Sequence, residues 1–94
     1  MVSNNNLILS VPAGERPDLL RLVAFVCETM RLPAGDNDEP LTYSAGNFGA
    51  NVFPYEDDWS AELWYHGSRA STWLYGLADA EAMRLQLSEA GGGL

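Results

Sequence analysis

The chain contains no lysine, one cysteine (Cys27), one histidine (His66) and no long apolar run. Each scarcity removes a class of chemistry. Without lysine there is no P-loop, whose Lys binds phosphate, and no Schiff-base catalysis on carbonyl or pyridoxal substrates. A single thiol forms neither an intramolecular disulfide nor a cysteine-only metal cluster. A membrane-crossing helix needs ~20 apolar residues in succession, and no stretch of the sequence approaches that. The opening MVSNNNLILSV lacks a basic start and has only a short apolar segment, so no secretory signal is expected. The expected setting is reducing and cytoplasmic. A Gly-x-Ser-x-Gly elbow is missing as well. Gly46 and Gly49 in AGNFGAN lack the third glycine of a dinucleotide fingerprint and read as turn or bulge positions.

Bases are the other shortage: five Arg stand against 13 acids, for a net charge of −8. About a quarter of an average soluble chain is charged. Thirteen acids in 94 residues is therefore ordinary, and the acidity comes from missing bases. Five scattered Arg cannot form the basic footprint that neutralises phosphates, so direct nucleic-acid binding is excluded and anionic membrane is disfavoured. A basic protein or nucleoprotein complex suits the charge, which would speed that encounter. The same charge also serves plain solubility.

What is present is enough for a core. Apolar types make up 47% of the chain, with three Trp, four Tyr and three Phe. The length allows one domain, residues 1–94, with 91–94 expected to fray. NLILSV (6–11) alternates apolar residues and predicts a first strand. From Asp18 to Leu32 the spacing is helical: Leu19, Leu22, Val23, Val26 and Met30 form one stripe, Leu20 and Cys27 flank it, and Arg21, Glu28 and Arg31 lie opposite. Pro17, Glu15 and Asp18 suit its start, and Pro33 its end. LTYSA (41–45), FGANVFPY (48–55), SAELWYH (60–66) and STWLYGL (71–77) read as strands. Asp79 is placed to cap a short last helix with Ala80, Met83 and Leu87 inward and Leu85 outward. The expected fold is α+β in the order β-α-β-β-β-β-α. Its mostly antiparallel sheet has four or five strands, with a longer N-terminal and a short C-terminal helix on one face.

Two acidic loops are the conspicuous polar features. Asp36, Asp38 and Glu39 lie in PAGDNDEP, and Glu56, Asp57 and Asp58 lie in YEDDW. Asp36-Asn37-Asp38 resembles the start of a calcium loop, but the required Gly and Glu positions hold Leu41 and Asn47. Three consecutive acids diverge rather than converge on one ion, so no metal, cofactor or catalytic residue is assigned. YEDDW is expected to be a hairpin tip between strands ending near Tyr55 and beginning near Trp59. Glu62 and His66 share a strand face at ~13 Å separation, too far for a hydrogen-bonded acid–base pair. Trp59, Trp64, Tyr65, Trp73 and Tyr75 are expected mainly in the core, with one or two, Trp64 on the Glu62/His66 face first, emerging near solvent. Exposed aromatics are favoured anchors of protein interfaces.

In size, charge and organisation the chain resembles the anti-CRISPR proteins, short acidic inhibitors that phage and mobile elements carry against host effectors. The resemblance carries no motif, so no family residue transfers. It implies a non-enzymatic inhibitor that occupies a basic, nucleic-acid-binding surface of a host effector, its carboxylates pairing with Arg and Lys that otherwise hold phosphates. Expected partner-binding residues are Glu56, Asp57 and Asp58, then Asp36, Asp38 and Glu39, with Glu62 and Trp64 on the sheet. Two rivals stand beside this reading. One is a subunit- or immunity-type domain pairing through its aromatic sheet face, a second copy included. The other is a small-ligand or enzymatic domain around His66 and Glu62.

Overall fold

The apolar stripe that begins at Leu19 forms helix α1 (Arg16–Met30), in which Leu19, Leu22, Val23, Val26, Cys27 and Met30 are all buried. A 3-10 turn, Ala13–Glu15, leads into it, so the helix starts two residues ahead of Asp18 and Pro17 stands in the first turn. There its missing N–H has no helical acceptor to lose. Glu15 occupies the N-cap position without capping. Its carboxylate instead accepts from Asn47 Nδ2 at 2.8 Å and from the Tyr65 hydroxyl at 2.9 Å, which joins the helix entrance to the sheet.

The computed structural model describes residues 7, 11–33, 39–55, 58–66 and 70–91. Four strands follow α1: β1 (Leu41–Ala45), β2 (Phe48–Tyr55), β3 (Asp58–Tyr65) and β4 (Ala70–Leu74). They form one antiparallel meander in sequential order, which leaves β1 and β4 at the edges. Helix α2 (Leu77–Gly91) closes the chain. Both helices pack on the same side of the sheet and on each other, giving a single α+β domain with one core.

Of the N-terminal strand expected over 6–11, only Leu7 and Val11 lie among the described residues. Leu7 has helical backbone, Val11 lies in a bend, and neither pairs with the sheet. Both are nevertheless buried. Helix α2 begins at Leu77, earlier than expected, and at 15 residues equals α1. Asp79 therefore acts from inside the first turn, its carboxylate accepting from the Tyr75 N–H at 2.8 Å. Ala80, Met83 and Leu87 are buried and Leu85 is exposed, as the spacing predicts.

Strand register decides which side chains face the helices. The cross-strand pairs Phe48–Tyr65, Ala50–Leu63, Val52–Ala61 and Pro54–Trp59 point inward, and all but Pro54 are buried. The Phe48 and Tyr65 rings stack at 4.7 Å. Polar groups at this layer are partnered. Trp59 Nε1 donates to the Leu32 carbonyl at 2.7 Å, and the Thr29 and Tyr43 hydroxyls meet at 2.7 Å. Gly46 and Asn47 connect β1 to β2, with Gly46 at φ +57°, a conformation that favours glycine. A Cβ on Gly46 would also strike the Asp18 carboxylate.

Candidate functional site

Alternation along β2 and β3 leaves the other set of residues on the side of the sheet away from the helices. Gly49, Asn51 and Phe53 come from β2, and Asp58, Ser60, Glu62 and Trp64 from β3. β4 adds Ser71 and Trp73, paired with Trp64 and Glu62. Among the described residues no element packs over this side.

Its centre is aromatic. Phe53 and Trp73 stand on β2 and β4, two strands apart and offset by two residues along β3, roughly 12 Å at the backbone. The residue between them is Ser60, opposite Phe53 and diagonal to Trp73. Its small side chain lets the two rings lean together to 5.9 Å with planes 24° apart. Tyr75 continues the row, 6.2 Å from Trp73 and 12° from parallel. Trp73 is 37% exposed and Tyr75 58%. Phe53, Pro54, Ser60, Trp73 and Tyr75 together line an open concavity of about 380 Å³.

Carboxylates stand at both ends of that row. Asp58 is exposed on the first residue of β3; one of its oxygens accepts from the Trp59 N–H at 2.8 Å. The other faces Gly76, where an added Cβ would lie 3.0 Å from it. Gly76 has φ +98°, and its missing side chain lets the chain turn past Asp58 directly after Tyr75. Glu62 is half-buried, between Asn51 and Trp73. Neither acid is in an ion pair among the described residues, where the salt bridges are Arg21–Asp18 and Arg31–Glu81.

The structure brings Glu62 and Trp64 onto one side of β3, as the alternation predicts, and adds Asp58, which is expected in the hairpin tip from sequence. Glu39 is exposed in the approach to β1 and belongs to no such group. Glu56, Asp57, Asp36 and Asp38 lie outside the described residues. β2 ends at Tyr55 and pairs it with Asp58, so Asp58 is already a strand residue. Trp64 differs from expectation: it is half-buried because its indole lies over Gly49 and donates to His66 Nε2 at 3.0 Å. Gly49 is thus a fully paired strand residue, neither turn nor bulge. The aromatics that reach solvent on this side are Trp73 and Tyr75, which were expected mainly in the core. His66 follows β3, exposed, with Nε2 committed to Trp64, and neither it nor Glu62 lines the concavity.

Other reactive groups are occupied or enclosed. Burial pushes the Cys27 thiol up from its ordinary range, against the opposing pull of Arg84. Burial and the bond to Glu15 likewise raise the Tyr65 phenol. Among the described residues no His, Cys, Asp and Glu side chains group as a metal site, and no helix is long and apolar enough to cross a membrane. Comparison with known proteins finds no matching family model, curated protein or solved structure.

Proposed function

We propose that this is a non-enzymatic binding protein that docks a basic partner protein through the open side of its sheet. The observation that carries the reading is the Phe53–Trp73–Tyr75 row, its Trp73 and Tyr75 exposed, beside the carboxylates of Asp58 and Glu62, which form no ion pair among the described residues. Rigid aromatics supply contact area at small entropic cost, while acids at the margin steer a basic surface toward them. Glu56 and Asp57, next to Asp58 in sequence, belong to the proposed acidic contact. In this reading the partner is a nucleic-acid-binding effector, met in the cytoplasm and inhibited because its phosphate-binding residues are covered. The resemblance in size and charge to anti-CRISPR proteins points the same way.

A second reading uses the same side differently: a subunit- or immunity-type domain pairing mainly through its aromatics. The degree of exposure of Trp73 and Tyr75 favours it. The third reading, a pocket around His66 and Glu62, gains no support from a concavity that neither residue lines.

Affinity capture from cell lysate at low and high salt separates these. Wild type is compared with Trp73→Ala/Tyr75→Ala and with Asp58→Asn/Glu62→Gln. The inhibitor reading expects a basic nucleic-acid-binding protein, released by salt and weakened by both variants. Loss with the aromatic variant alone indicates aromatic pairing. Capture unchanged by either variant would refute docking through this side.

A further inference from the structure

We infer that the concavity between Phe53, Trp73 and Tyr75 seats an arginine side chain of the partner; this rests on the docking reading above and makes it chemically specific. Three features converge on that occupant. The Trp73 and Tyr75 rings stack 12° from parallel with centroids 6.2 Å apart and are partly open to solvent, so they offer planar π faces in parallel and not a box around a rounded cation. A guanidinium is planar, weakly hydrated and stacks on such a surface, whereas an ammonium is a compact, strongly hydrated point charge.

The second feature is charge. Asp58 and Glu62 lie two residues to either side of Ser60 on the same side of β3, each ~7 Å away along the strand. Asp58 has one oxygen occupied by the Trp59 N–H, and Glu62 has no ion-pair partner among the described residues. A guanidinium over Ser60 can therefore direct N–H groups toward a carboxylate at either end. Ser60 itself adds a hydroxyl acceptor at the base of the concavity.

The third is size and sign. About 380 Å³ is near the small end of the range for ligand sites, suited to a side chain more than a nucleotide. Two carboxylates with no ion-pair partner among the described residues repel phosphate. An apolar occupant would fill the aromatic centre yet draw those acids toward a surface that cannot pair with them, which is costly.

The test is an NMR titration of the full chain, following the indole N–H of Trp73 and the amide of Tyr75. The probes are three capped peptides of one design, Gly-X-Gly-X-Gly, with X as arginine, lysine or citrulline. Citrulline keeps the planar shape and loses the charge. The arginine peptide is expected to bind about two- to fivefold more tightly than the lysine peptide, and the citrulline peptide more weakly than either. Trp73→Ala should abolish the preference for arginine over lysine, and Asp58→Asn/Glu62→Gln should weaken both charged peptides. Tyr75→Ser is the second aromatic variant; Tyr75 is 58% exposed, so the core does not depend on it. Equal binding of arginine and lysine, insensitive to both aromatic variants, overturns the inference, as does citrulline binding as well as arginine or no binding at all. If partner capture still depends on Trp73 and Tyr75 when the peptides fail, the arginine assignment falls alone. If capture is also unaffected, the docking reading falls with it.

Discussion

Adding one methyl group at Gly49 should change sign in its effect on stability according to whether Trp64 is present. A Cβ at position 49 would lie 2.5, 2.6 and 2.8 Å from Trp64 Cζ2, Cε2 and Nε1. The indole must tilt away, and its 3.0 Å bond to His66 Nε2 must lengthen or break. Overpacking of this kind costs roughly 1–3 kcal/mol. Against it stands the conformational gain of alanine over glycine in a strand, roughly 0.5–1 kcal/mol. Gly49→Ala is therefore expected to lower stability by up to about 2.5 kcal/mol in the wild type. In a Trp64→Ala background the ring is gone and only the strand term survives, so the same substitution should raise stability by about 0.5–1 kcal/mol. Urea unfolding of the four proteins, followed by far-UV circular dichroism at constant m value, reads both numbers as midpoint shifts. An effect of the same sign in both backgrounds would refute the idea that Gly49 exists to bed the indole.

Two further predictions concern the enclosed titratable groups. The Cys27 thiol and Tyr65 phenol are both raised by burial, so the folded state keeps their protons longer than the unfolded chain does. Stability should hold at neutral pH, begin to fall above about 9 as the unfolded thiol ionises, and fall further above about 10 for the phenol. Urea midpoints from pH 7 to 11 check this, with Cys27→Ala removing the earlier loss and Tyr65→Phe the later one; a flat wild-type profile would contradict it. The same burial predicts that Cys27 reacts with a disulfide reagent only as fast as the protein opens, and at full speed in denaturant. Rapid native labelling would count against the observed packing of α1.

The helix α1 was legible because its burial depends on local spacing. Leu19, Leu22, Val23, Val26 and Met30 carry the pattern whatever they pack against. The meander was legible for a similar reason, since turns such as Gly46-Asn47 interrupt short aromatic and β-branched runs. Position 6–11 was ambiguous: Leu7 and Val11 share one side in an alternating strand, but a spacing of four also places them on one side of a helix. The aromatic row was harder to foresee. In β4 both alternate sets contain large apolar residues, and the inward set includes buried Thr72, so polarity does not mark the inner side. Choosing Trp73 over Trp64 as the exposed tryptophan requires knowing that a glycine, 15 residues earlier, lies opposite Trp64. That information resides in strand register and not in local sequence.

The register has a consequence for engineering and for divergence. In β2 and β3 the even-numbered residues of one strand and the odd-numbered residues of the other hold the helices, while their immediate neighbours face outward. Under the docking proposal, folding and recognition are interleaved one residue apart. Positions 51, 53, 60 and 62 would then form a set, on two adjacent strands, whose rewriting changes what is recognised while the inward residues beneath them are kept.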